Sequence, residues 1–291
     1  MPELPEVQTI VNGLNKKILN RVVLDVWTDS PKIIKKPKNF KDFQKKLRNK
    51  RVLKVWRRAK NIILELSGGC SLLVHQKLTG HLLAGKWELN KGKWSPLAKG
   101  PLEERVNLYI HLMFWLDKGI MLALSDLRKF AKVELWDSAE LKNSKEFKKL
   151  GPEPLDPSFS LRQFKKIISG KKGKIKQVLM DQKIIAGVGN IYSDEILWRS
   201  KTHPQKSASL LKESELNLIY RNIKKVLMLA IKLKGESISD FRDLQGERGN
   251  FDAERKVYKK TGKKCSRCGA IIKRIKIGGR SAHFCPNCQR L

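Results

Sequence analysis

The sequence predicts an α+β protein in which an N-terminal helix and a block of antiparallel strands precede a helical region and a small cysteine-bearing hairpin. Three observations support this fold class. Apolar residues recur at helical spacing near the N-terminus, seven β-rich runs lie between residues 21 and 137, and two C-x2-C pairs stand near the C-terminus. Many short strands with close turns are typical of an antiparallel sandwich or barrel.

The first helix is expected over residues 5–18, where apolar side chains form one stripe. The stripe consists of Val7, Ile10, Val11, Leu14 and Ile18. Pro5 suits the first helical turn, because a backbone N–H there would have no helical partner in any case. Residues 1–4 therefore lead directly into a helix N-terminus.

The β-rich block has two clear hairpin turns, Ser67-Gly68-Gly69 and Asp117-Lys118-Gly119. The predicted strands are residues 22–27, 52–56, 61–66, 70–75, 106–116, 120–125 and 132–136. The stretch 85–101 is polar and rich in lysine and glycine, so we expect an exposed loop there.

A proline-rich string at residues 151–157 ends the β-rich block, and the pattern beyond it becomes helical. The predicted helices are residues 159–169, 175–181, 191–199 and 213–234. The polar segment 235–255 contains Gly246 and Gly249, and we expect it to be a mobile loop. The predicted organisation is a β domain over 1–137, a linker over 138–158, a helical domain over 159–256 and a cysteine-bearing unit over 257–291.

The net charge of +34, from 62 basic and 28 acidic residues, predicts a polyanionic partner, and nucleic acid is the usual one. A general bias toward lysine is the alternative explanation of the charge. The longest apolar stretch, 109–116, contains His111 and is far too short for a membrane span. The N-terminus has neither a basic start nor an apolar core, so we expect a cytosolic protein with reduced cysteines.

Four cysteines have the spacing of a metal site: Cys265, Cys268, Cys285 and Cys288. Each C-x2-C pair supplies two thiolates, and Gly278-Gly279 lets the segment between the pairs fold back as a hairpin. Two disulfides or four free thiols are the alternatives, and a reducing cytosol argues against disulfides. We predict one Zn²⁺ whose ligands are all protein thiolates, which makes it structural and not catalytic. The fifth cysteine, Cys70, lies in a predicted strand and is expected to be a small core residue.

Three strings resemble one family. MPELPEV at residues 1–7 resembles the start of the formamidopyrimidine-DNA glycosylases, and GVGNIY at 187–192 resembles their helix–two-turns–helix motif. Gly279-Arg280 before FCPNCQ at 284–289 resembles their C-terminal zinc finger. The resemblance covers nearly the whole chain in the same order. It implies an N-terminal β-sandwich, a helix–two-turns–helix domain, a zinc-finger β-hairpin, and an enzyme that removes oxidised purines (8-oxoguanine and formamidopyrimidines) from duplex DNA and then cuts the strand.

The N-terminal string carries the expected chemistry. Once Met1 is removed, Pro2 presents a secondary amine that can attack C1′ of a deoxyribose and form an iminium as the base leaves. The iminium permits β,δ-elimination of the phosphates. The positive end of the first helix and the surrounding cations would lower the pKa of the amine. The simpler explanation is that Pro2 only permits methionine removal.

Two glutamates follow the expected nucleophile closely in sequence. Glu3 resembles the family's general acid/base, which protonates the sugar ring oxygen. Glu6 lies in the first helical turn, where it either organises the site or only complements the helix dipole.

Four basic or polar residues resemble the family's phosphate contacts. Lys60 resembles the lysine beside the damaged nucleotide, although a lysine at a strand end is also common on a surface. Asn190, Lys176 and Arg280 resemble positions in the helix–two-turns–helix motif and the zinc finger. Contacts to phosphate set the register of a protein on DNA without reading its sequence.

Extrusion of a base leaves a gap that the enzyme must fill. The family uses a methionine, an arginine and a phenylalanine on two β-loops, and Leu78, Arg128 and Phe130 stand in the corresponding places. Leu127 and Lys129 replace an expected proline and second arginine, and we expect Lys129 to contact DNA. Ordinary core packing is the alternative for Leu78. The segment 235–255 corresponds to the family region that covers the extruded base.

Two other functions fit parts of the sequence. Endonuclease VIII-like enzymes share the architecture and nucleophile but prefer oxidised pyrimidines; Leu4 and the segment 128–130 look closer to the purine-lesion branch. A non-catalytic DNA-binding protein with a zinc ribbon would show the same charge and cysteines, and only the N-terminal string separates it from an enzyme. A monomer that binds damaged double-stranded DNA is the expected state.

Overall fold

The computed structural model describes residues 1–237 and 240–291 and divides the chain into two compact units. Unit 1 comprises Met1–Lys148 together with Leu233–Asn250, and unit 2 comprises Lys149–Lys232 together with Phe251–Leu291. Residues 233–250 therefore group with the N-terminal part of the chain, whereas the predicted domains follow chain order. The predicted domain boundaries stay a prediction.

Unit 1 is built around two sheets whose facing sides share one apolar core. The first sheet has the strand order β1-β9-β10-β6 and the second has the order β2-β11-β5-β4-β3. Their bounds are β1 Val23–Thr28, β2 Ile34–Lys36, β3 Val52–Arg58, β4 Asn61–Leu66, β5 Cys70–His75, β6 His81–Gly85, β9 Ile110–Leu116, β10 Met121–Ser125 and β11 Lys132–Asp137. The predicted α+β class and antiparallel sandwich are confirmed, although β2 pairs with β11 in parallel.

Helix α1, Leu4–Lys17, lies against β3 and β4. Its apolar stripe is buried, as its spacing predicts, and Glu3 is the N-cap residue. The predicted turns at residues 67–69 and 117–119 join the antiparallel pairs β4–β5 and β9–β10. Unit 1 also contains three helices that the sequence analysis did not predict, namely α2 Phe40–Leu47, α3 Ser138–Asn143 and α4 Lys145–Lys148. The strands β2 and β6 were not predicted either.

The expected loop over 85–101 is wrong, because this stretch contains a two-stranded hairpin. Strands β7, Trp87–Asn90, and β8, Lys93–Pro96, pair in antiparallel register. Trp87 and Trp94 are buried, and the Trp94 ring packs edge-on to Trp27, with 5.2 Å between ring centroids. Burial of large aromatic side chains stabilises this hairpin although most of its other residues are polar. The strand predicted from residue 106 begins at Ile110, after a 3-10 turn at Arg105–Asn107.

The described residues of the segment expected to be a mobile loop, 235–255, are mostly irregular in structure as a loop is, but several of them are packed into unit 1. Phe241 and Leu244 are buried in the core of unit 1, and the Leu244 carbonyl accepts a hydrogen bond of 2.8 Å from the Ala84 N–H. Arg242 is 1% exposed. Residues 238 and 239, which belong to the predicted capping segment, lie outside the described residues.

Unit 2 contains the helices predicted from the C-terminal half and a terminal hairpin. The elements are α5 Leu161–Ser169, α6 Ile175–Met180, α7 Asn190–Arg199, α8 Glu213–Lys232, β12 Lys273–Ile277 and β13 Arg280–Phe284. The carboxylate of Glu195 in α7 accepts hydrogen bonds from the backbone N–H groups of residues 256, 257 and 258. Helix α7 therefore holds the start of the cysteine-bearing segment. In the part of the chain that the structure describes, no helix has the length and apolarity needed to cross a membrane.

Candidate active site and nucleic-acid contacts

The N-terminal residues of unit 1 form a buried polar cluster. Pro2 is buried, and Glu3, Glu6 and Lys60 are 3%, 1% and 7% exposed. The Glu6 carboxylate accepts a hydrogen bond of 2.7 Å from the Glu3 N–H and another of 2.9 Å from the Glu236 N–H. Glu6 thus connects the backbone of residue 3 to the segment 233–250, which supports a role in organising the site beyond a dipole interaction.

Gly235 is required where this segment passes Glu6. Its φ is +81°, and a Cβ atom there would lie 2.7 Å from Oε1 of Glu6. A side chain at residue 235 would therefore displace the carboxylate that fixes the N-terminus. The polar sequence of 235–255 gave no indication of this contact.

The N-terminal amine of the full chain is that of Met1, next to Pro2, and it interacts with the same cluster. Burial is the largest influence on its pKa and lowers it from the ordinary value of 8.0; Lys60 lowers it further, while Glu3 and Glu6 raise it. These influences show that Glu3, Glu6 and Lys60 converge on the amine. Nearby cations and the helix dipole can be predicted from the sequence, but burial cannot, because only the folded chain determines it.

His75 is a titratable residue near the cluster that the sequence analysis did not select. Burial, reinforced by Lys77, Lys60 and Lys132, lowers the pKa of His75 to about 3. Its Nδ1 accepts a hydrogen bond of 3.0 Å from the Lys77 N–H. His75 is therefore neutral at physiological pH and shapes the loop that follows β5.

The residues predicted to fill the gap in DNA lie on two loops of unit 1. Leu78 is 38% exposed and Phe130 is 50% exposed, so core packing does not explain Leu78. The Arg128 guanidinium lies 4.6 Å from the centre of the Phe130 ring. Leu127 is also exposed, at 51%, and Lys129 adopts a left-handed backbone with a φ of +53°. The structure therefore presents apolar and cationic side chains together on these loops.

Lys176 does not lie where the sequence analysis expected a phosphate contact. Its side chain is buried, and its ammonium is 2.5 Å from the Asp194 carboxylate and 3.1 Å from the Ser193 hydroxyl. The other oxygen of Asp194 accepts a hydrogen bond of 2.9 Å from the backbone N–H of His283. Lys176 therefore stabilises the packing of α7 against the terminal hairpin. The prediction that it contacts phosphate directly is wrong for this structure. A sequence shows that a lysine is charged but not that the fold buries it.

Asn190 is the first residue of α7, as its motif suggests. The turn before it contains Gly187, with a φ of +88°, and Gly189 is the N-cap residue. The first N–H groups of a helix are free to bind an anion, and the glycines let a backbone approach closely. Asn190 is half-buried at this position.

The four cysteines of the terminal segment converge as predicted. Their sulfur atoms all lie within 4.8 Å of one another. The Sγ–Sγ distances are 3.9 Å for Cys265–Cys288 and 3.4 Å for both Cys268–Cys285 and Cys268–Cys288. A tetrahedral Zn²⁺ with Zn–S bonds of about 2.3 Å has S–S edges of about 3.8 Å. The donor set therefore fits one structural zinc ion.

The hairpin that these cysteines close presents a basic surface. Gly278 and Gly279 both have positive φ, +53° and +77°, as a two-residue type I′ turn requires. Arg280 follows the turn and is exposed. The other exposed basic side chains of the hairpin are Lys273, Arg274 and Lys276.

Three family models match the chain in sequence order. Residues 1–133 match the formamidopyrimidine-DNA glycosylase N-terminal domain, residues 150–242 match the formamidopyrimidine-DNA glycosylase H2TH domain, and residues 262–291 match the zinc finger found in FPG and IleRS. The fold and the site thus define a DNA-repair glycosylase with a structural zinc finger.

Curated relatives agree over their full length. Formamidopyrimidine-DNA glycosylases from Desulforamulus reducens and Streptococcus mutans are each 36% identical, and the matches cover 100% of this chain and 99% and 100% of the relatives. The chain belongs to the formamidopyrimidine-DNA glycosylase family.

Solved structures of relatives contain damaged DNA. The complex of Lactococcus lactis Fpg with DNA containing an abasic site has a TM-score of 0.87 at 35% identity and covers 99% of this chain and 100% of that one. The complex of MutM with DNA containing carbocyclic 8-oxo-G has a TM-score of 0.86 at 35% identity and covers both chains completely.

Proposed function

We propose that this chain excises oxidised purines from duplex DNA through a Schiff base on Pro2 and then cleaves the strand by β,δ-elimination. The observation that supports the proposal most directly is that Glu3, Glu6 and Lys60 lie buried beside the buried Pro2. Burial lowers the pKa of the adjacent Met1 amine, and we expect the Pro2 nitrogen to be affected in the same way once Met1 is removed. A lowered pKa keeps more of the amine unprotonated and nucleophilic at neutral pH. Relatives were solved with DNA containing Fapy-dG, 8-oxo-G or an abasic site.

The first stage exchanges one bond at C1′ for another. After removal of Met1, the Pro2 nitrogen bonds to C1′ of the damaged nucleotide while the bond from C1′ to the base breaks, and the base leaves with a proton. Glu3, buried next to Pro2, donates a proton to the ring oxygen, so the sugar opens and an iminium links Pro2 to C1′. Glu6 positions this exchange through its hydrogen bonds to residues 3 and 236.

The second stage cuts the strand. The iminium acidifies the C2′ hydrogens; loss of one expels the 3′ phosphate, and a further elimination expels the 5′ phosphate. Hydrolysis of the remaining iminium releases the sugar fragment and restores the amine. Lys60, 7% exposed beside Pro2 and Glu3, would hold a phosphate of the damaged nucleotide.

Binding of DNA is assigned to both units. Asn190 at the start of α7 and Arg280 after the hairpin turn would contact phosphates, while Leu78, Arg128, Lys129 and Phe130 would occupy the gap left by the base. Zinc held by four thiolates would stabilise the hairpin without entering the reaction. The relatives are bacterial, and we propose a monomer that acts on DNA in the bacterial cytosol.

Borohydride trapping tests the nucleophile. We expect reduction in the presence of lesion-containing duplex to attach DNA covalently to a chain whose first residue, by mass spectrometry, is Pro2. Tight DNA binding without any adduct would instead indicate a non-catalytic binding protein. Retention of Met1, or a blocked amine, would remove the starting point of the chemistry.

Incision assays test the substrate class. Duplexes that contain 8-oxoguanine or a formamidopyrimidine should be cut faster than a matched duplex that contains thymine glycol. Cleavage of the thymine glycol duplex alone would show that the chain acts on oxidised pyrimidines instead.

A further inference from the structure

We propose that Thr79 and Asp126 lock the two gap-filling loops into one rigid element and are positioning residues for base extrusion. The loops are defined as residues 75–80, which carry Leu78, and residues 126–131, which carry Arg128 and Phe130. The proposal rests on the proposed function, because it concerns how the loops enter damaged DNA.

The lock consists of side-chain contacts between residues 47 positions apart in sequence. The Thr79 hydroxyl donates a short hydrogen bond to Oδ1 of Asp126. The same hydroxyl oxygen accepts a hydrogen bond of 3.2 Å from the backbone N–H of Arg128. Thr79 is therefore inserted into the other loop as both a donor and an acceptor.

Asp126 completes the lock from within its own loop. Its Oδ2 accepts a hydrogen bond of 2.7 Å from the Ala131 N–H, and its Oδ1 lies 3.3 Å from the Arg128 N–H. One carboxylate thus fixes the two ends of the segment that carries Arg128 and Phe130. Hydrogen bonds to an ionised group are stronger than those between neutral groups.

The lock is buried directly beneath the exposed side chains. Asp126 is 1% exposed and Thr79 is 9% exposed, whereas the adjacent Leu78 is 38% exposed. The loops also approach closely, since a Cβ atom on Gly80 would lie 3.3 Å from Cβ of Ala131. Because the hydrogen-bonding groups are buried, they do not face DNA themselves, and they hold together the two loops whose tips are exposed.

Both loops contain a residue whose backbone needs outside support. Lys77 and Lys129 have positive φ values of +56° and +53°, a left-handed conformation that disfavours side chains other than glycine. Filling the gap requires Leu78, Arg128 and Phe130 to enter the duplex together. Loops that are already fixed lose less conformational freedom in that step, so the lock preorganises extrusion.

The test compares base excision with cleavage at a preformed abasic site, which has no base to extrude. Thr79→Val removes the hydroxyl and keeps the shape, and we expect it to lower the ratio of 8-oxoguanine excision to abasic-site cleavage by about tenfold, the loss that corresponds to one buried hydrogen bond. Thr79→Ser, which restores the hydroxyl, should return the ratio to the wild-type value. Thr28→Val removes a hydroxyl that bonds to the His111 carbonyl elsewhere in unit 1, and it should leave the ratio unchanged.

A second comparison separates positioning from general damage. In a Leu78→Ala background, Thr79→Val should lower the ratio by less than the tenfold expected in the wild type, because one of the three side chains that the lock positions is already absent. Asp126→Asn should lower the ratio as Thr79→Val does, and it provides the same test should the valine variant unfold. A folded Thr79→Val enzyme with an unchanged ratio, or full additivity with Leu78→Ala, would overturn the lock. Failure of the proposed function is distinguishable, since the wild-type chain itself would then not excise 8-oxoguanine.

Discussion

The guanidinium of Arg242 holds the carboxylate of Glu104 with two hydrogen bonds of 2.5 Å, from Nε and Nη2. Arg242 is 1% exposed, and Arg248 adds a third bond of 3.2 Å to the same carboxylate. This pairing joins the segment 233–250 to the turn before β9, across 138 positions of sequence. It explains why a polar segment that resembles a mobile loop is packed in unit 1.

Replacement of Arg242 should destabilise unit 1. We expect Arg242→Met to lower the free energy of unfolding by about 1–3 kcal/mol, because the variant loses the paired bonds, while the partly exposed Glu104 regains water. Urea unfolding followed by circular dichroism measures this change. Arg248→Met is the matched control, since its side chain is 66% exposed, and it should have little effect. Equal losses in the two variants would contradict the assignment.

The same pair predicts a dependence of stability on pH. The hydrogen bonds and charge of Arg242 lower the pKa of Glu104 from its ordinary value of 4.5. A lowered pKa in the folded state stabilises the fold above pH 4.5, and this contribution is lost as the pH falls through the folded-state pKa. The difference in unfolding free energy between wild type and Glu104→Gln should therefore shrink below pH 4.5. A difference that is constant from pH 7 to pH 3 would show that the charge of Glu104 is not involved.

Lys60 should affect the pH at which the nucleophile becomes active. Burial is the largest influence that lowers the pKa of the Met1 amine, and Lys60 lowers it further. We expect Lys60 to act in the same way on the Pro2 nitrogen once Met1 is removed, so Lys60→Met should raise the pKa of that nitrogen and leave less free amine at a given pH. The pH midpoint of borohydride trapping should consequently move upward relative to wild type. Exposed Lys54, on β3 of the same unit, provides the control variant Lys54→Met. A slower reaction with an unmoved midpoint would limit Lys60 to binding phosphate.

Lys176 and Arg280 should differ in the salt dependence of DNA binding. Each phosphate contact contributes about −0.9 to the slope of log affinity against log salt. We expect Arg280→Met to reduce the magnitude of the slope by about 0.9 and Lys176→Met to leave it unchanged, because Lys176 is buried against Asp194. Lys176→Met should instead lower the thermal stability of unit 2. A smaller slope in Lys176→Met would show that Lys176 contacts phosphate after all, contrary to its burial in the structure.

Zinc removal should disable DNA binding without unfolding unit 1. Chelation or Cys265→Ser removes a structural ligand set, so the basic hairpin should lose its shape while the β-sandwich keeps its circular dichroism. Cys70→Ser is the control, because Cys70 lies in β5 and outside the cluster. Undiminished DNA binding by the chelated protein would show that the folded hairpin is not part of the DNA-binding surface.

Local patterns were sufficient for several features. The spacing of Val7, Ile10 and Leu14 specified a helix, and Gly278-Gly279 specified a hairpin turn between two cysteine pairs. These features depend on neighbours in sequence, because helical periodicity, turn geometry and C-x2-C chelation all act over a few residues. The N-terminal string was informative for the same reason, since the residues around the expected nucleophile are adjacent in sequence.

Burial and pairing between distant segments were decided only by the tertiary structure. In the sequence Lys176 is one basic residue among many, but packing buries it against Asp194. The segment 235–255 is polar in sequence, but its Arg242 forms an ion pair with Glu104 in a distant turn. The bonds of Glu6 to residue 236 and of Thr79 to Asp126 are likewise invisible in sequence. Whether a polar group faces water or an internal partner depends on which distant segments the fold brings together, and no local pattern contains that information.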